Sequence, residues 1–178
     1  MPNHRLSFWE LAVKTSVAHT VTYFLMGLLA STLFSYAGQF ALPYLACWMR
    51  QTNEPLVMAG SLLQPIRGLI FALVFYPLRE TFFTKKNGWL LMAWTLVALG
   101  ILATFGSAPG SIEGMIYTRI PLLLQLQGWL EVVPQALLLS GLLAYWVNHP
   151  EKKWLTWALG LAFVLMCLLL VVGLLVSR

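Results

Sequence analysis

Long apolar runs separated by short polar turns dominate this chain. Five of them approach the roughly 20 residues that a helix needs to cross about 30 Å of hydrocarbon. They cover residues 11–36, 56–83, 88–106, 121–147 and 154–176. The last, WLTWALGLAFVLMCLLLVVGLLV, carries no charge, and the third, GWLLMAWTLVALGILATFG, is nearly as clean. The first includes Lys14, His19 and several Ser and Thr, yet it averages apolar and is long enough to tilt. The second and fourth differ in kind, because Arg67 lies within SLLQPIRGLIFALVFYPLRE and Glu131 within the fourth run. This pattern predicts an all-α, polytopic transmembrane bundle of five spans, one membrane domain over residues 1–178.

The connections divide into two kinds. TKKNG and NHPEKK are tight and basic. AGQFALPYLACWMRQTNEP, residues 37–55, is longer, with Pro43 and an aromatic patch at Tyr44 and Trp48. It predicts a short amphipathic element along the membrane surface. SAPGSIEGMIYTRIP, residues 107–121, is rich in Gly and Pro and presents Glu113, Tyr117 and Arg119 as a candidate outer surface. At the N-terminus, MPNHRLSFWELAVK has a basic start but leads into a long apolar run with no A-x-A-like cleavage site, which predicts a retained first helix.

Composition agrees with the pattern. The chain has 178 residues, 60% hydrophobic and 10% charged, with six Glu, no Asp and a net charge of +5. A soluble domain carries about 25% charged residues. Eight Trp, ten Phe and six Tyr suit two interfacial belts. The basic residues stand singly or in pairs at the ends of apolar runs, which marks topology signals rather than a nucleic-acid face. Cys47 and Cys167 lie in separate apolar surroundings without metal-ligand spacing, so neither a disulfide framework nor a bound metal or other cofactor is expected.

Placing the N-terminus in the cytoplasm puts Arg5, Lys14, Arg79, Lys85, Lys86, Lys152 and Lys153 inside, and Arg50, Arg67, Arg119 and Arg178 outside. All the lysines then fall inside, which predicts an N-in, C-out topology. Two hairpins share a plan under this topology. Each opens on LLQ (Leu62–Gln64, Leu123–Gln125), turns through Lys-Lys and re-enters on tryptophan. Parallel repeats of this kind occur in transporters, although basic turns with aromatic anchors give any hairpin the same look.

The intramembrane charges define the candidate site. Arg67 and Arg79 are separated by about 18 Å of helix, so Arg79 belongs to the cytoplasmic end and Arg67 to the outer third of the hydrocarbon. Glu131 lies sixteen positions above Val147, and Arg67 lies sixteen above Phe83. On straight helices both are about 24 Å from the inner end. An Arg67–Glu131 pair is the arrangement expected, since an isolated charge in hydrocarbon costs several kcal/mol. Gln64, Gln125, Gln127 and Gln135 surround it in sequence, and Pro65, Pro77 and Pro134 free backbone carbonyls nearby.

Three readings follow: a structural clamp between helices, with Arg67 either paired or snorkelling outward; a solute or ion site, with Arg67 attracting an anion and Glu131 exchanging a proton; or a polar face that meets another protein. His19, beside Ser16, Thr20 and Thr22, predicts a polar contact within the bundle, because His4 and His149 lie at the cytoplasmic ends and supply no second haem ligand at its depth. Gly27, Ala30 and Ser31 suit close helix packing. No H-E-x-x-H, G-x-S-x-G or acidic metal cluster is present, so a non-enzymatic protein is expected.

At RGLIFALVFYPLRE, NGWLLMAW and APGSIEGMIYT, across Gln64 to Leu143, the chain resembles small multi-pass bacterial membrane proteins that carry no assigned function. The resemblance implies residence in the bacterial inner membrane and makes the APGSIEG loop, with the Arg67 and Glu131 region, a shared outer surface. The sequence favours a structural or interaction role, as a homo-oligomer or accessory subunit among lipid and other membrane proteins. The rival is a small transporter or channel centred on Arg67 and Glu131.

Overall fold

The computed structural model describes residues 6–47 and 49–176. His4, Arg5, Trp48 and Arg178, which entered the reading above, lie outside the described residues. Every regular element among the described residues is helical. They are α1 (Phe8–Phe34), α2 (Tyr36–Phe40), α3 (Pro43–Ala46), α4 (Pro55–Ser61), α5 (Gln64–Phe75), α6 (Arg79–Phe83), α7 (Gly88–Val97) continued by a π-helical turn (Ala98–Leu102), α8 (Ile112–Tyr117), α9 (Leu122–Asn148) and α10 (Lys153–Val176).

Three helices, α1, α9 and α10, are long and apolar enough to cross a membrane, and α4 with α5 makes a fourth if the bent pair counts as one span. The run over residues 56–83 is thus not one helix. Proline explains both breaks. Pro65 stands in the first turn of α5, where a missing N–H is tolerated, and α4 ends just before it with a bend of 40°. Pro77 falls in the turn that separates α5 from α6. The third run is also shorter than its apolarity suggests. It leaves helical geometry at Ala103, after the π turn, and spans Gly88–Leu102. Pro134, by contrast, is accommodated inside a continuous α9. The two hairpins therefore differ in build: one descending limb is interrupted, the other is not.

α1 is the central helix, packed along α5 and α9 and touching α10, while α7 packs along α9 and α4 meets α10. The close approach of α5 to α1 depends on Gly68, where an added Cβ would lie 2.5 Å from the Ser16 Cα. Beside it the Ser16 hydroxyl donates to the Pro65 carbonyl at 3.0 Å. Two other hydroxyls of α1 are satisfied locally, Thr20 on the Ser16 carbonyl and Thr22 on that of Ala18, whereas the buried Thr15 hydroxyl has no hydrogen-bond partner. Lys14 is carried by a 2.8 Å ion pair with Glu10 and lies over the Trp146 ring. Leu11, Phe75, Met92, Leu139 and Leu143 form the fully buried core between these helices.

Candidate functional site

Arg67, on the first half of α5, stands beside Phe71, its guanidinium 5.7 Å from the ring centroid. A second neighbour of that ring is His19 of α1, edge-on at 4.9 Å between centroids. His19 is 2% exposed, and its Nε2 meets the Gln64 side-chain oxygen at 3.1 Å. Because that partner is an acceptor, Nε2 carries the proton and Nδ1 presents a lone pair. Nδ1 is buried and has no hydrogen-bond partner. The expected contact of His19 within the bundle is therefore an interhelical one, to Gln64 rather than to the neighbouring hydroxyls.

These groups share a cavity of about 280 Å³ between α1, α5, α7 and α9. Gln135 of α9 contributes an amide and Thr95 a hydroxyl, although that hydroxyl donates to the Leu91 carbonyl. Phe71, Leu96 and Leu139 supply apolar wall. The π turn brings Leu99 and Gly100 to the cavity, and the space beside the Gly100 Cα is open. Such single-turn π insertions recur at functional sites. Val74 and Leu99, both lining residues, are 49% and 66% exposed, so the cavity opens sideways onto the outer apolar surface of the bundle.

The expected ion pair between Arg67 and Glu131 is absent. Among the described residues the ion pairs are Lys14–Glu10 and Arg50–Glu54. Glu131 instead accepts a hydrogen bond from the Tyr36 hydroxyl, and its carboxylate faces Gly27. Gly27 lies eight positions beyond His19 on α1, about 12 Å along the helix axis. Arg67 is at the level of His19 and Glu131 at the level of Gly27. Equal counts from the inner ends failed because α5 and α6 are separated by a turn, so sixteen residues there do not rise 24 Å. Gln135, one turn further along α9, is the residue that reaches the Arg67 cavity.

The remaining glutamines also separate. Gln127 accepts from Gln39 at 3.0 Å, one turn above Glu131, so α2 docks on α9 through two polar contacts. Gln125 of α9, 2% exposed, is bonded to the 107–121 loop. Its amide donates to the Ile120 carbonyl at 2.9 Å and its oxygen accepts from Gly110 N–H at 3.2 Å. Trp129 donates to the Gly110 carbonyl at 2.8 Å. Gly110 holds φ +86°, a conformation that favours glycine. On that loop Glu113, Tyr117 and Arg119 are exposed, and Arg119 borders a groove with Tyr44, Cys47 and Ser107. Just before α4 the Arg50 guanidinium donates to Glu54 at 2.9 Å and holds its carboxyl below the usual range.

No His, Cys or acidic side chains gather in threes to hold a metal among the described residues. No family model, curated protein or solved structure matches this chain.

Proposed function

We propose that this is a non-enzymatic integral membrane protein whose function is to bind a small solute in the Arg67 cavity, as a compact transporter or binding protein. The supporting observation is a guanidinium that lines a cavity and, among the described residues, has no carboxylate paired with it. A structural clamp places its cation against its anion, and here the acidic residue is engaged elsewhere, by Tyr36. Glu131 accordingly moves from a proton-exchanging role to that of an anchor for the outer segment.

The topology belonging to this reading has five crossings, with the N-terminus in the cytoplasm. α4, α5 and α6 act as one interrupted crossing. Gly88–Leu102, at 15 residues, acts as a short one of about 22 Å, which thins the bilayer locally. The broad exposed face of α10, from Trp157 through Leu161, Leu165 and Leu168 to Leu175, is the kind of surface acyl chains cover. Residence in a bacterial inner membrane rests on the resemblance in the 64–143 region.

Native mass spectrometry of the protein in mild detergent tests the reading. Wild type extracted from membranes retains a small-molecule adduct that Gly100→Leu, which adds a bulky side chain at the lining of the cavity, does not. An adduct of equal occupancy in both proteins contradicts it.

A further inference from the structure

Resting on that reading, we infer that the ligand is a single-chain amphiphile with an oxyacid head, of which a fatty acid is the simplest case. Three features of the cavity point to it. The first is polarity. One uncompensated guanidinium calls for one negative charge, and its planar fork matches the two oxygens of a carboxylate or the face of a phosphate. The Gln135 amide offers a second donor on the same cavity.

The second is the buried imidazole. With Nε2–H given to Gln64, Nδ1 of His19 offers a lone pair where the protein provides no donor. A buried acceptor left unmade is unfavourable by about 1–3 kcal/mol, and an acid head can relieve it. The head passes its proton to Nδ1, which then donates to one oxygen of the resulting carboxylate while Arg67 donates to the other. Both groups neighbour the Phe71 ring and both residues line the same cavity. Chloride has no donor for His19, and an aliphatic alcohol has no charge for Arg67.

The third is the exit. The cavity opens laterally between Val74 and Leu99, two exposed aliphatic side chains on the bundle's outer apolar surface. A chain attached to the head therefore passes outward into a region that acyl chains occupy. At about 280 Å³ the cavity holds the head and the first part of the chain and leaves the remainder outside.

The experiment is equilibrium binding to the full-length protein in phosphatidylcholine nanodiscs, using decanoate, decanol and acetate as probes. The expected result is saturable decanoate binding, with decanol and acetate each weaker by about tenfold or more. Arg67→Gln weakens decanoate by roughly ten- to hundredfold and leaves decanol unchanged. Gly100→Leu abolishes decanoate binding. The three-probe comparison on wild type needs no variant to fold. Acetate binding as tightly as decanoate overturns the amphiphile and indicates a water-borne anion. Decanol equal to decanoate overturns the oxyacid head, and the cavity reading survives if Gly100→Leu blocks both. Decanoate binding that Gly100→Leu leaves intact overturns the cavity reading as well.

Discussion

The Tyr36 hydroxyl donates to the Glu131 carboxylate and joins α2 to the first half of α9. Gln39 and Gln127 repeat the connection one turn away. The acidic residue in the fourth apolar run is thereby used to hold a cover in place. The basic residue in the second, Arg67, faces a cavity without an acidic counterpart.

Tyr36→Phe removes the donor and leaves a half-buried carboxylate without its partner. A hydrogen bond to a charged group contributes about 1.5–3 kcal/mol, enough to loosen a short helix held by two side-chain contacts. Hydrogen exchange of residues 36–47 is expected to quicken at least severalfold in this variant, with α9 below Gln135 unchanged. Exchange that remains at the wild-type rate shows that the segment is held by other contacts.

Gly68→Val places side-chain atoms against the backbone of Ser16, which cannot move aside without separating α1 from α5. Overpacking of this kind typically destabilises by about 1–3 kcal/mol. Gly60→Ala, where the space is open, serves as the control and is expected to be near neutral. Unfolding in mixed micelles measures both, and equal stability of the two variants removes the claim of close packing at Gly68.

Gln125→Leu keeps the approximate volume but removes a donor and an acceptor that the 107–121 loop uses. The Ile120 carbonyl and the Gly110 N–H lose their protein partner at once. Limited proteolysis is expected to cut the variant within this loop under conditions that leave wild type whole. The cavity, bordered by Gln135 rather than Gln125, is expected to keep its ligand.

Orientation is testable at the exposed Cys47, which follows α3 and lies outside under the proposed N-in topology. In intact cells a membrane-impermeant maleimide is expected to label wild type and not Cys47→Ser. Labelling that requires permeabilised cells reverses the N-in topology.

α1, α9 and α10 coincide with the predicted runs to within three residues at each end. Nearly uncharged apolar stretches of this length have few other ways to satisfy their backbone. The interrupted second run was marked by Pro65 and Pro77, but continuous hydropathy across them concealed the breaks. That concealment propagated into the Arg67–Glu131 pairing, which assumed an unbroken rise. The turn at Ala98–Leu102 has no residue type that announces it, so the contribution of Leu99 and Gly100 to the cavity could not be read from sequence. Gln135 stood among the candidates, and its position one turn from Glu131 held the correction. Gln125 and Gln127 were grouped with it because spacing along α9 reports the face of a helix and not which neighbour that face meets.

Whether the Arg67 charge is available to a ligand is tested most directly by a double-mutant cycle between Arg67→Gln and Glu131→Gln. Unfolding free energies in mixed micelles for the two single variants and the double variant complete it. The arrangement described predicts additivity within about 0.5 kcal/mol, as for groups that share no contact. A coupling energy of about 1 kcal/mol or more would mean that the two charges neutralise one another, and the ligand site would be lost with it.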